Sequence, residues 1–483
     1  MWNKWGISQM SGVNILRALF LCLTPFLLTA CQPQDFGRLK PDFSQIKKAP
    51  ASILNIGKMF DDAENEDSVG VVRDSPLQMK DILGDSLATK NRGTDFLTSI
   101  KYALDTDPEI VSKRRHMEAK LASVGASEAQ KDFQVGATFY GGIEDVTDNT
   151  KGLALAINAS RLVFDGGKLD STIASSLFEV EASKMNLAAL INQRAYELFE
   201  KWLELEKYKS LQAQIDERLS VLNPLIDQLE KVADAGIGDV GRVTAAQRTV
   251  SAIRVEKTSV AEGLAQAQLD FLNAFGDLNN GVEFDYNFVT ELVPSEIDDN
   301  LIQGSPLLQA QYASYQSSLA QLKALKAKGG FDVGFEARAM RPFAGSGYDS
   351  DESIGLVGRK TLFNGGMLQS EIKEAKALSE SRLAKIKATY RSGSRSVQAA
   401  KQNIESMDRA ILIVRENAKL TSEEIVHLRQ QLIIGASTLD SVLSAEARLY
   451  EAESKEIKFI TEKYKSEVLI VSSLGVLGRA LGF

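Results

Sequence analysis

Cysteine and histidine are nearly absent from this 483-residue sequence. The only cysteines, Cys22 and Cys31, stand close to the N-terminus, so a chain that loses a leader keeps no internal disulfide. The only histidines, His116 and His427, sit in helical patterns among charged residues, with no Cys, His or carboxylate pair at metal-ligand spacing. Phosphate loops, dinucleotide fingerprints and nucleophile elbows are missing as well. No enzyme, cofactor or metal is expected. Basic runs are also lacking, and the net charge is −8, which argues against nucleic acid as a partner.

The one long apolar signal is N-terminal. A weakly basic stretch with Lys4 and Arg17 precedes the apolar run Ala18 to Leu28 and the small-residue approach Leu28-Thr29-Ala30. Such a run is too short to span a bilayer and reads as a signal peptide over 1–30. Its removal takes the net charge from −8 to −10. Leu28-Thr29-Ala30-Cys31 resembles the bacterial lipobox, in which the cysteine becomes the acylated first residue; the alternative is ordinary cleavage beside an incidental cysteine. Gln32, rather than Asp, at the second mature position favours the outer membrane by resemblance to sorted lipoproteins. Residues 31–92 carry Pro33, Pro41, Pro50, Pro76 and the acidic run from Asp61 to Asp67, the composition of a lipid-anchored tether.

The rest of the chain is written twice. Ser160 to Gly167 reads S-R-L-V-F-D-G-G, and Arg359 to Gly366 reads R-K-T-L-F-N-G-G. Phe164 and Phe363 are 199 residues apart, and Gly236 and Gly435 are 199 apart again. Pro108 and Pro306 differ by 198. This spacing defines two repeats, 93–274 and 304–483, joined by a connector over 275–303 that is rich in Gly, Asn and Asp.

Each repeat opens with a helical pattern and passes into period-two alternation. Phe133, Val135, Ala137 and Phe139 alternate with more polar residues, as do Phe331, Val333, Phe335 and Ala337. A returning strand comes after each, giving expected strands at about 133–141, 152–163, 331–340 and 353–362. Their length suits a transmembrane β-strand. Four strands cannot close a barrel, and open edges are not tolerated in hydrocarbon, so pairing with other copies is required; the alternative is a soluble four-stranded sheet beside helices. Beyond each Gly-Gly the pattern turns helical for a long way. Ile404, Met407, Ile411, Val414, Ala418, Thr421, Ile425, Leu428 and Leu432 step by threes and fours, the seam of a coiled coil. Asn223-Pro224 is expected to kink the first long helix, and Ser392-Gly393-Ser394 to interrupt the second.

Duplicated strands and long helical hairpins, keyed by Leu162 to Gly167, Leu362 to Gly366, Gly236 to Gln247 and Gly435 to Glu446, resemble the TolC-type outer-membrane efflux protein family. The expected fold is mainly α with a transmembrane β-barrel contribution, a duplicated unit of helix, β-hairpin and coiled-coil helical hairpin. The resemblance implies a homotrimer in the outer-membrane lipid, a trimeric β-barrel continued by a periplasmic α-helical tunnel. It also implies docking onto a periplasmic adaptor and an inner-membrane transporter. The implied function is the exit duct of a tripartite export system. Small-molecule efflux is favoured by the lipid anchor, and type I protein secretion is the alternative. A lipid-anchored coiled-coil spacer without a channel is a further reading, but it leaves the strands unexplained.

The site residues fall into two groups. At the strand-to-helix junctions, Gly166, Gly167, Gly365 and Gly366 provide the bend, while Phe164 and Phe363 either anchor at the lipid interface or pack between helices. At the periplasmic tips, Gly236, Gly238 and Gly435 make the turns. The acidic positions that some family members carry there fall on Ser441 and Ser444, a departure from the pattern. Asp440 and Asp239 stand nearby, either as a charge-selective ring or as helix caps.

Overall fold

The computed structural model describes residues 93–145, 150–235, 240–276, 282–343, 346–434 and 436–483. The signal peptide, Cys31 and the tether lie outside the described residues, as do the tip residues Gly236, Gly238, Asp239 and Gly435.

The first repeat opens with α1 (Phe96–Thr106) and α2 (Pro108–Glu128). Asp107 ends α1 and starts α2: its carboxylate accepts from the amides of Glu109 (2.8 Å) and Ile110 (3.0 Å), while Pro108 occupies the first helical position, where its missing N–H costs nothing. A short 3₁₀ turn (Ala129–Lys131) leads into β1 (Gln134–Asp145) and β2 (Thr150–Phe164). Then come α3 (Lys168–Asp234) and α4 (Val240–Phe275). The second repeat keeps the same order: α7 (Pro306–Ala327), β3 (Asp332–Pro342), β4 (Asp351–Arg359), α8 (Met367–Ile433) and α9 (Leu439–Ser473). Between the repeats lie α5 (Tyr286–Leu292) and α6 (Asp299–Gln303), and α10 (Val476–Ala480) closes the chain.

α3 and α8 are 67 residues each, roughly 100 Å at 1.5 Å per residue. Neither is interrupted at the sites where the sequence suggests a break. At Pro224 the carbonyl deprived of a partner belongs to Ser220, whose position is solvent-exposed, so water can satisfy it and the helix continues. Likewise, Ser392 to Ser394 stay helical within the packed length of α8.

The largest core sits partway along α3. Phe199 and Trp202 of α3 meet Phe96 of α1 edge-on, at centroid distances of 5.2 and 4.9 Å, and Phe284 and Phe275 complete the cluster. The connector is therefore more than a linker: Phe284, Val289 and Ile302 are buried, and the two short helices exist because their apolar residues reach the cores of the long ones. A second core runs towards the far end of the hairpins, where Leu211, Ile215 and Leu222 of α3 pack with Val250 and Ile253 of α4 and Leu443 of α9.

The strands form one four-stranded antiparallel sheet in the order β1-β2-β3-β4. β2 pairs with β3, so the two hairpins are joined edge to edge. Both hairpin turns lie at one end of the sheet and the chain enters and leaves through helices at the other. β1 and β4 remain edges within this chain.

Candidate functional site

The register fixes which side chains share a face, because the side-chain period along a strand is two. Val135, Ala137 and Phe139 stand opposite Ala159, Ile157 and Leu155. These in turn face Ala337, Ala339 and Arg341 on β3, and Phe335 and Ala337 face Leu356 and Ile354 on β4. One face is thus apolar, and Val135, Phe139, Leu155, Ile157, Ile354 and Leu356 on it are all exposed. Charge bounds this band, with Arg161 at the helix end and the ion pair Arg341–Glu352 at the turn end. The opposite face carries Gln134, Thr138, Tyr140, Asn158, Ser160, Glu336, Arg338, Asp351 and Arg359.

Charge on the polar face is unevenly shared. β1 between Gln134 and Tyr140 and β2 between Ala154 and Ser160 place none there. β3 and β4 place it in pairs: Glu336 accepts from Arg359 at 2.5 Å, and Arg338 Nε lies 3.8 Å from Asp351. Asp332 meets Lys168 of α3 at 3.6 Å.

At the helix end of the sheet, a cation stacks on an aromatic ring in each repeat. Arg161 lies 5.3 Å from the Phe133 centroid and Lys360 lies 4.7 Å from that of Phe331. Arg161 and Lys360 are 199 residues apart. Strand β4 stops at Arg359, short of the expected end at 362, leaving Leu362 and Phe363 90% and 87% exposed. Phe164, by contrast, still pairs with Val333. Both phenylalanines are exposed in this chain and neither is buried between its helices.

The glycine pairs adopt one backbone twice: φ is +67° and +82° at Gly166 and Gly167, and +66° and +83° at Gly365 and Gly366. A Cβ at Gly167 or Gly366 would meet nothing, so glycine is required by conformation and not by space. Sequence reasoning missed Asp165. Its carboxylate, 7% exposed as a residue, accepts from the amides of Gly167 (2.9 Å) and Leu169 (2.6 Å) and thereby caps α3. Aspartate just before a helical run was the available signal. Asn364, its counterpart, makes a backbone contact only, with Met367 N at 3.3 Å from its carbonyl.

At the far end of the hairpins, Thr438 caps α9, its Oγ1 accepting from Ser441 N at 3.3 Å and meeting Ser441 Oγ at 2.8 Å. Asp440 lies in the first turn of α9, where its charge favours the helix dipole, and Ser444 is exposed one turn on. Ile433 and Ile434, at the end of α8, are large apolar residues left exposed. Behind them lies a buried ion cluster: Glu446, 2% exposed, accepts from Arg218 of α3 and, at 2.7 Å, from Arg429 of α8, while Arg218 also reaches Glu453 at 2.8 Å. This cluster ties the two helical hairpins together. Nearby, burial pushes the Tyr450 phenol up to about 12. His116 and His427 are exposed on separate helices, and among the described residues no group of acidic, Cys or His side chains could hold a metal. No described helix is long and apolar enough to cross a membrane.

Several of these contacts recur at the repeat offset with altered chemistry. Asp216–Lys257 (2.6 Å) links α3 to α4, and Arg415–Glu456 (2.6 Å) links α8 to α9 at positions 199 residues later, with the signs exchanged. Gln247–Glu230 (2.7 Å) stands at the offset of Glu446–Arg429.

A duplicated unit of this kind, with strands between helical hairpins, is the fold of the outer-membrane channel structures that this chain is similar to. The family model for outer membrane efflux proteins matches residues 299–476, most of the second repeat. Three solved structures share the fold. CusC, whose structures concern folding and transmembrane channel formation, aligns with a TM-score of 0.68 and 13% identity over 80% of this chain and 93% of its own. The outer membrane protein VceC of Vibrio cholerae aligns at 0.67 and 16%, over 78% and 95%. The open MtrE outer membrane channel of Neisseria gonorrhoeae aligns at 0.67 and 12%, over 78% and 88%. No curated protein sequence matches the chain. At 12–16% identity these are likenesses of fold.

Proposed function

We propose that this chain is the outer-membrane exit duct of a tripartite export system, working as a homotrimer. One observation carries the reading: the sheet has an exposed apolar face, a polar face and two unpaired edges, β1 and β4. Pairing β4 of one copy with β1 of the next satisfies those edges, turns the apolar face to lipid and encloses the polar one. Three four-stranded sheets then give a twelve-stranded barrel. The junction glycines mark where barrel strand becomes tunnel helix, and Phe164 and Phe363 fall at the level of the inner lipid interface.

The helical ends carrying Ile433, Ile434 and Asp440 are the docking and gating region, and Asp239, Asp440, Ser441 and Ser444 line it. A periplasmic adaptor and an inner-membrane transporter supply cargo and energy. Cys31, acylated, fixes the tether to the membrane, and this anchor favours small molecules over secreted proteins as cargo. Bilayer recordings of the purified protein test the reading, together with cross-linking in outer-membrane fractions. A trimeric species with discrete conductance is expected. A Cys31→Ala protein that washes off membranes and conducts nothing would point instead to an anchored spacer. Incorporation of an alkyne-tagged fatty acid, lost on Cys31→Ala, is the test of acylation.

A further inference from the structure

On the polar face of the sheet, Ala156 of β2 pairs with Thr138 of β1 and Met340 of β3. Its diagonal neighbours on those strands, Tyr140 and Arg338, meet above it: Arg338 Nη2 donates to Tyr140 Oη at 3.4 Å, and the guanidinium lies 5.9 Å from the ring centroid. Ala154 and Ala156 beneath are fully buried. Small side chains on the middle strand are what let the two long ones join across it, so the arginine is held over the wall.

The pairing of this cation is incomplete. Arg359 on the same face donates to Glu336 at 2.5 Å, a full charge-assisted bond, whereas Arg338 Nε is buried without a hydrogen-bond partner and only approaches Asp351, at 3.8 Å. The adjoining stretches of β1 and β2 contribute no opposite charge to that face.

We infer that Arg338, held over Tyr140, is a specificity-determining residue for anionic groups of cargo, a carboxylate or phosphate, in the half of the barrel nearer the hairpin turns. The inference rests on the channel reading, which sets the polar face towards the lumen. Ring-backed guanidinium offers a planar pair of donors suited to such oxyanions, and three copies would raise the local anion concentration along the exit path. Asp351 tempers the attraction so that an anion can leave again.

Full-length trimers in planar bilayers under a potassium chloride gradient, and again with potassium glutamate, test this through reversal potentials. Arg338→Gln is expected to lower the anion-to-cation permeability ratio by about two-fold or more, and Asp351→Asn to raise it. Arg338→Lys, which keeps the charge, should hold chloride selectivity near wild type but weaken the preference for the carboxylate. Tyr140→Leu should shift the ratio as Arg338→Gln does, by less. Unchanged ratios in both Arg338→Gln and Asp351→Asn, with conducting trimers, would overturn the role of Arg338 and leave the channel intact. A wild-type protein that forms no conducting trimer would overturn the channel reading itself and this inference with it.

Discussion

The two repeats hold one backbone with different chemistry, and the difference shows which features the architecture demands. Glycine pairs with matching positive φ, a cation stacked on an aromatic at the helix end of the sheet and an inter-helix bond at each offset position are common to both. The identities that make those contacts are free to change. Asp216–Lys257 becomes Arg415–Glu456 with the signs exchanged, and an amide–carboxylate contact becomes the buried cluster of Glu446. Geometry has been retained where the backbone turns. Charge and burial have diverged where the hairpins meet each other.

The deepest divergence is at Glu446. Replacing it with Ala leaves the buried Arg218 guanidinium with Glu453 as its remaining carboxylate, and a cost of about 1.5–3 kcal/mol is expected from urea midpoints of the detergent-solubilised protein. Gln247→Ala, the same position in the first repeat, should cost below about 1 kcal/mol, because the bond it makes with Glu230 is exposed. Equal costs would mean that the cluster adds nothing over the plain contact. At the junctions, Asp165→Ala should lose about 1–2 kcal/mol, since the amides of Gly167, just before α3, and Leu169, in its first turn, lose their acceptor. Asn364→Ala should lose only a few tenths, roughly the scale of a position without a side-chain cap. An Asn364→Asp variant that gained stability would show that the second junction can accept the missing cap.

Titration separates the repeats further. Glu467, buried on α9, has its carboxyl held above the ordinary range, chiefly by burial, with Lys463 and a bond from Thr290 (3.1 Å) pulling the other way. The residue 199 positions earlier is Gln268. A folded-state value above the unfolded one favours the protonated form of the fold. Its stabilisation is therefore complete below the unfolded value of about 4.5 and is lost as pH rises through the folded value. Glu467→Gln cannot ionise, so the melting temperature of the variant relative to wild type should climb as pH rises above about 4.5; a flat difference would remove Glu467 as a source of pH dependence. The smallest effect belongs to the exposed pairs. Exchanging the charges of Asp216 and Lys257 together, to copy the second repeat, should change stability by less than about 0.5 kcal/mol, whereas Asp216→Lys alone should cost up to about 1 kcal/mol.

Legibility in the sequence depended on whether a residue's role is local. Strand alternation showed the faces of the sheet, because period two survives from Val135 to Phe139 and from Val333 to Ala339. The long helices were legible from their heptads, and the 199-residue spacing tied the repeats together. The end of β4 was not, since Lys360 to Leu362 read as strand but pair with no described strand. Pro224 reads as a kink, and α3 continues through it as one helix. Asp165 carried a cap signal that the glycines beside it obscured. Arg218, Glu446 and Arg429 come together from three helices, and no sequence window contains them. The tip glycines and Asp239 lie outside the described residues, and with Asp440, Ser441 and Ser444 they remain part of the proposed gate.

The two free edges of the sheet have a genetic consequence. If every ring needs β4 of each copy to meet β1 of the next, one misfitting subunit spoils a ring whose other members are sound. With a variant and the wild type made in equal amounts, only about one ring in eight of a three-copy assembly would be wholly wild type. Lesions at those edges should therefore behave as dominant in a cell carrying both alleles, while lesions within a single helix core should be recessive.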